Sequence, residues 1–129
     1  MIKSFDYVNI FVKDLDKTIE WYVENMGFSV KRRIENRERG RKTAFLEAGG
    51  QAMLEFSAFI DPGKAVDGPV LKAEETGIKH ISFFVDDVVE MHQKLKNAGV
   101  EFTTFAPERG VAVFKDPNGI VLEIRLFLL

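Results

Sequence analysis

Two kinds of periodicity run along this chain, and each occurs twice. In DYVNIFV (6–12), Tyr7, Asn9 and Phe11 fall on one side of an extended segment, and Val8, Ile10 and Val12 on the other. The second set is β-branched and apolar, which predicts a strand packed on a helix. The first set is mixed and suits a cavity wall. A helix is predicted over Leu15–Met26, where Ile19, Tyr22, Val23 and Met26 recur at helical spacing between an Asp14 N-cap and a Gly27 stop. Strands are predicted near 28–34, 43–48 and 52–58, with a charged turn at 36–40 and a Gly49–Gly50 turn between them. From Ile60 to Gly77 the chain carries Pro62, Gly63, Gly68, Pro69 and Gly77, and reads as an irregular connector with a short helical turn at Leu71–Glu75. The pattern then restarts. A strand is predicted over His80–Val85. A helix follows, capped by Asp87 with Glu90 in capping-box position and stopped by Gly99. Strands near 102–105, 111–115 and 120–126 complete it, the last two joined by the turn Asp116-Pro-Asn-Gly.

The restart is a duplication. KHISFFV with DDVVEMHQKL repeats DYVNIFV with KDLDKTIEWY, so that Tyr7 falls on His80, Val12 on Val85 and Asp14 on Asp87. AVFKDPNGIVLEI (112–124) repeats AFLEAGGQAMLEF (44–56), so that Glu55 falls on Glu123. A duplication gives residues far apart in sequence equivalent places in two copies of one unit. Strand parity sharpens this. Met53, Glu55 and Ser57 share one face against Leu54, Phe56 and Ala58, and Val121, Glu123 and Arg125 share one face against Leu122, Ile124 and Leu126. Each carboxylate thus lies opposite an apolar stripe. A carboxylate on an enclosed sheet face is costly unless something pairs with it. Two carboxylates and a histidine at matched places invite a divalent cation. The expected fold is α+β: two pseudo-repeated β-α-β-β-β units in a single domain (5–58 and 79–127, connector 59–78). They form a curved mixed sheet with helices outside and the site on the concave face.

The paired units, the KHISFFV strand opening, the DPNG turn and the LEI ending resemble the vicinal oxygen chelate superfamily, which includes glyoxalase I, epimerases, extradiol dioxygenases, fosfomycin-resistance enzymes and bleomycin-resistance proteins. The resemblance covers nearly the whole chain and is closest in pattern to glyoxalase-like members. It implies metal ligands on the first and last strand of each half. Glu55, His80 and Glu123 match three of those four positions, and Tyr7 stands at the fourth, where His or Gln is usual. Phe11 stands where bacterial glyoxalase I carries an arginine that binds glutathione. The resemblance implies a six-coordinate Ni, Co, Mn, Mg or Zn ion that chelates adjacent substrate oxygens. It implies Glu123 as ligand and base, Glu55 as ligand and second base, and His80 as ligand, with Tyr7 donating a hydrogen bond to substrate or metal-bound water. The implied activity is a glyoxalase-like lyase or isomerase acting through an enediolate-type intermediate on a small α-oxygenated carbonyl compound. The other reading is a non-catalytic protein of bleomycin-resistance type that sequesters a small molecule.

Bulk composition narrows the rest. The chain has 129 residues, one domain's worth, with 46% hydrophobic residues and a net charge of -2. Nothing global points to nucleic acid or membrane. With no cysteine, disulfides, zinc–thiolate sites and a thiol nucleophile are excluded. MIKSFDY lacks the apolar run of a signal peptide, and a cytoplasmic protein is expected. KRRIENRERGRK (31–42) is basic, but its acidic residues are interspersed and it holds no aromatic, which reads as a solvated hairpin. Arg109 in the PERG loop is a candidate clamp for an anionic substrate, against the plainer reading of a surface arginine. Phe11, Phe45, Met53, Phe84 and Phe105 are candidates for an apolar pocket. His92 is expected to be exposed and without a role. The apolar ending LFLL points to burial in a homodimer.

Overall fold

Asp14 has extended backbone (φ −123, ψ 101), and its side chain accepts a hydrogen bond from the Lys17 backbone N–H at 3.0 Å. This satisfies one of the unpaired donors at a helix start, so the chain turns from β1 (Val8–Phe11) directly into α1 (Leu15–Met26). Gly27 ends α1 in the left-handed region at φ 73, which a side chain would disfavour, and Phe28 N–H returns to the Tyr22 carbonyl. The chain then makes β2 (Ser29–Asn36), β3 (Arg41–Ala48) and β4 (Ala52–Phe59). The computed structural model describes residues 1–68 and 71–127. It divides into two compact units, Met1–Asp67 and Gly68–Leu129.

In the first unit the strand order is β1-β4-β3-β2, with β1 parallel to β4 and the other pairs antiparallel. One face carries α1. There Ala44, Leu46, Leu54, Phe56 and Ala58 are buried against Leu15, Ile19 and the fully buried Tyr22, whose ring centroid lies 4.8 Å from that of Phe56 and 5.6 Å from that of Phe28. Tyr22 and Phe56 are the largest side chains of this core.

The second unit repeats the plan as β5 (Ile81–Phe84), α2 (Val88–Asn97), β6 (Phe102–Ala106), β7 (Val111–Lys115) and β8 (Val121–Arg125), in the order β5-β8-β7-β6. Asp87 accepts from Glu90 N–H at 3.0 Å, the counterpart of the Asp14 cap. Val88, Leu95, Ala112, Phe114, Leu122 and Ile124 form its buried side. The predicted turn between β7 and β8 is built on Asp116, whose Oδ1 accepts from Asn118 N–H at 2.8 Å and Ile120 N–H at 2.9 Å. Each sheet has a register shift in its outer hairpin, between Val30 and Arg32 and between Phe102 and Thr104.

The expected α+β architecture of two repeated β-α-β-β-β units is therefore present. Several local expectations need correction. No helical turn forms at Leu71–Glu75, where only a turn closed by Glu75 N–H on the Lys72 carbonyl appears. The helical turn lies instead at Pro62–Lys64, because Asp61 caps it through Gly63 N–H and Pro62 tolerates the first helical position. Tyr7 and His80 immediately precede their strands rather than belonging to them. Pro69 of the connector and Leu128 and Leu129 of the apolar ending lie outside the described residues. No helix among the described residues is long and apolar enough to cross a membrane.

Candidate functional site

Strand register places the functional side chains on the face of each sheet opposite its helix. In the first unit, Asn9 pairs with Glu55 and Phe11 with Ser57 across β1 and β4, and Phe45 pairs with Glu55 and Thr43 with Ser57 across β3 and β4. The side chains bond along the same lines. Asn9 Nδ2 donates to Glu55 Oε1 and lies 3.0 Å from Ser57 Oγ, and Ser57 Oγ meets Thr43 Oγ1 at 3.0 Å. Glu55 is thereby held in one orientation by a network across three strands. Tyr7 packs edge-on against Phe45 at 5.5 Å.

This face forms a hollow of about 390 Å³. Glu55, Asn9, Thr43 and Ser57 line it with polar groups, and Phe11, Phe45 and Ile34 supply apolar surface. Asn36, Arg39 and Arg41 complete the lining. The volume is within the range of small-molecule sites.

In the second unit the register is Ser82 with Glu123 and Phe84 with Arg125. Ser82 Oγ donates to Glu123 Oε1 at 2.8 Å, as Asn9 does to Glu55. His80 Nε2 lies 3.8 Å from Glu123 Oε2, and Arg125 Nη1 lies 4.0 Å from Glu123 Oε1. The Glu123 side chain is 15% exposed. Metal–ligand distances of about 2 Å allow two donors of one ion to stand up to about 4 Å apart. His80 and Glu123 meet that condition, and their nitrogen and oxygen donors suit a divalent ion. Neither unit by itself gathers, among its described residues, three His, Asp or Glu side chains able to hold a metal.

Of the residues singled out in the sequence, Tyr7, Phe11 and Glu55 thus belong to the first unit, and His80, Arg109 and Glu123 to the second. Phe11 and Glu55 line one hollow, and His80 and Glu123 are neighbours. Arg109 is exposed on the turn Pro107–Arg109 and has no ion pair among the described residues. The candidate pocket aromatics belong to both units. Phe11 and Phe45 line the hollow, Phe84 packs on Phe127 at 5.0 Å, and Phe105 stacks on His92 at 3.6 Å. His92 is therefore half-buried rather than exposed, since its ring also meets Phe102 at 4.5 Å. Sequence reasoning missed Asn9, Ser57, Ser82, Arg39 and Arg41. Strand parity was the available signal for Asn9 and Ser57, which share a face with Tyr7 and with Glu55.

Comparison with known proteins agrees with the fold. A model of the Glyoxalase/Bleomycin resistance protein/Dioxygenase superfamily matches residues 4–124. The chain is 27% identical over 128 residues to the uncharacterized protein YwkD of Bacillus subtilis, covering 96% of this chain and 97% of that one. It is 32% identical over 121 residues to a probable lactoylglutathione lyase of Vibrio parahaemolyticus, covering 88% and 83%. Among solved structures, the trypanothione-dependent glyoxalase I of Leishmania major superposes with a TM-score of 0.78 at 25% identity, covering 93% of this chain and 84% of that one.

Proposed function

We propose a glyoxalase-like lyase or isomerase, and the premise is family: this chain belongs to the Glyoxalase/Bleomycin resistance protein/Dioxygenase superfamily. The substrate is a small α-oxygenated carbonyl compound. A carboxylate takes the proton from the oxygen-bearing carbon. The electron pair moves into the adjoining carbon–carbon bond and onto the carbonyl oxygen, giving an enediolate-type intermediate. The proton then returns to the former carbonyl carbon while the hydroxyl proton passes to the neighbouring oxygen, so the reaction is an isomerisation and needs no co-reactant.

Glu123 is the base in this reading, and Glu55 is the second. The observation that carries it is the repeated carboxylate: Glu55 and Glu123 occupy matched places, each fixed by a donor from the adjoining parallel strand, Asn9 or Ser82. A base whose orientation is held in advance loses little in being positioned for proton transfer. Glu55, His80 and Glu123 would hold a divalent Ni, Co, Mn, Mg or Zn ion. Such an ion would supply positive charge to stabilise the developing oxyanion. The naming of one relative as a probable lactoylglutathione lyase supports a hemithioacetal substrate.

Two measurements test this. Protein stripped with chelator and dialysed is titrated calorimetrically with Ni, Mn and Zn; one ion per chain is expected, lost in His80→Ala. The hemithioacetal of methylglyoxal and glutathione is then assayed for thioester formation, alongside hemithioacetals of other thiols. Activity abolished by chelator and restored by metal is expected with at least one thiol. Absence of stoichiometric uptake would overturn the metal-dependent reading and leave a ligand-sequestering protein.

A further inference from the structure

We infer that the hollow of the first unit selects an organic anion, whose carboxylate or phosphate is seated by Arg39 and Arg41. The inference rests on the proposed reaction only for the role of Glu55.

Arg41 packs on aromatic rings and has no counter-ion among the described residues. Its guanidinium carbon lies 5.6 Å from the Phe11 ring centroid and 5.7 Å from that of Phe59, and those two rings meet at 4.8 Å. Aromatic faces orient a guanidinium and leave its edge N–H groups available. Of the other cations of the same hairpin, Lys31 pairs with Glu47 at 3.8 Å, Arg33 with Asp16 at 3.1 Å and Arg37 with Glu35 at 3.5 Å, and Arg32 and Lys42 do not line the hollow. Arg39 and Arg41 line the hollow and have no ion pair among the described residues. Asn36 joins them there. Its Oδ1 accepts from Arg39 N–H at 3.0 Å, which leaves its Nδ2 as a further donor. Two guanidinium groups and an amide make a donor cluster suited to an oxyanion.

The other part of the hollow sets the ligand's direction. Arg41 pairs with Phe59, and Glu55 lies four residues back along β4, about 13 Å of strand. Phe11, Phe45 and Ile34 supply apolar wall for a carbon skeleton. The Glu55 carboxylate repels an anion at its own end, so the charged group goes to the arginines and the oxygenated carbon to Glu55. The ligand class is therefore an acid that carries its anionic group apart from the oxygenated carbon.

Metal-stripped protein, titrated with hexanoate, pentyl phosphate and neutral hexanamide by NMR, tests the seat without any turnover. At least one acid should bind about tenfold more tightly than the amide, and the tighter acid identifies the anionic group. Arg41→Gln and Arg39→Gln should each remove most of that preference, whereas Arg37→Gln, outside the hollow, should leave it unchanged. Equal affinity for acids and amide, or equal effects of Arg41→Gln and Arg37→Gln, would overturn the inference. Failure here with metal uptake intact rejects the anion seat alone. Anion binding without metal uptake rejects the enzymatic reading alone.

Discussion

Glu55 accepts a hydrogen bond from Asn9, and Glu123 accepts one from Ser82, yet the surroundings of the two carboxylates have diverged. Around Glu55 are amide, hydroxyl and aromatic groups, in a hollow also lined by two arginines that have no ion pair among the described residues. Around Glu123 stand His80 and Arg125, within 4.0 Å. The register that positions a carboxylate beside the parallel strand is common to both copies. The residues that decide what it does are not. Duplication thus supplied a fixed geometry twice, and substitution on the open faces gave the first copy a pocket and the second an imidazole.

The sharpest way to break that contrast is to neutralise each carboxylate. Glu123→Gln should lower kcat on the active hemithioacetal by about 10²- to 10⁴-fold, the range for loss of a positioned proton-transfer group. Glu55→Gln should lower kcat less and weaken metal affinity in calorimetry. Equal kcat losses would make the two copies chemically equivalent. Next are the cores. Phe56→Ala should cost about 3–5 kcal/mol in denaturant unfolding, because that ring is fully buried and packs on Tyr22 at 4.8 Å. Its counterpart Ile124→Ala should cost about 2–4 kcal/mol.

Smaller effects follow at the carboxylate holders. Asn9→Ala removes bonds to both Glu55 and Ser57 and should cost about 1.5 kcal/mol, against about 0.5 kcal/mol for Ser82→Ala, which removes one. Double-mutant cycles with Glu55→Gln and Glu123→Gln would assign the loss to each bond. The caps should differ least: Asp14→Ala and Asp87→Ala should each cost about 1 kcal/mol, read as paired shifts in the unfolding midpoint.

The helices were legible because their signals are local. Asp14, Gly27 and the spacing of Ile19, Tyr22 and Met26 delimit α1 at Leu15–Met26, as predicted. β7 was likewise bounded at Val111–Lys115, by Gly110 and by the Asp116 turn. Parity revealed which faces carried Glu55 and Glu123. The bonds from Asn9 and Ser82 were not legible, since each joins strands more than forty residues apart through a register that sequence does not state. Arg39 and Arg41 were lost among the other charges of 31–42. Only cross-strand pairing brings Arg41 beside Phe59, and so separates it from the cations with carboxylate partners. The connector misled because a helix-compatible run at 71–75 outweighed the Asp61–Pro62 signal beside it.

The irregular outer hairpins have a consequence for the protein's life in a crowded solution. β2 is an eight-residue border strand whose side chains are all exposed, a length that invites another chain to add to the sheet. The extra residue around Lys31 breaks the even comb of amide and carbonyl groups, and Lys31, Arg32, Arg33 and Glu35 set charge along it. A visiting strand would meet a bent, ionised margin with mismatched spacing, so this border guards against fibrous self-association.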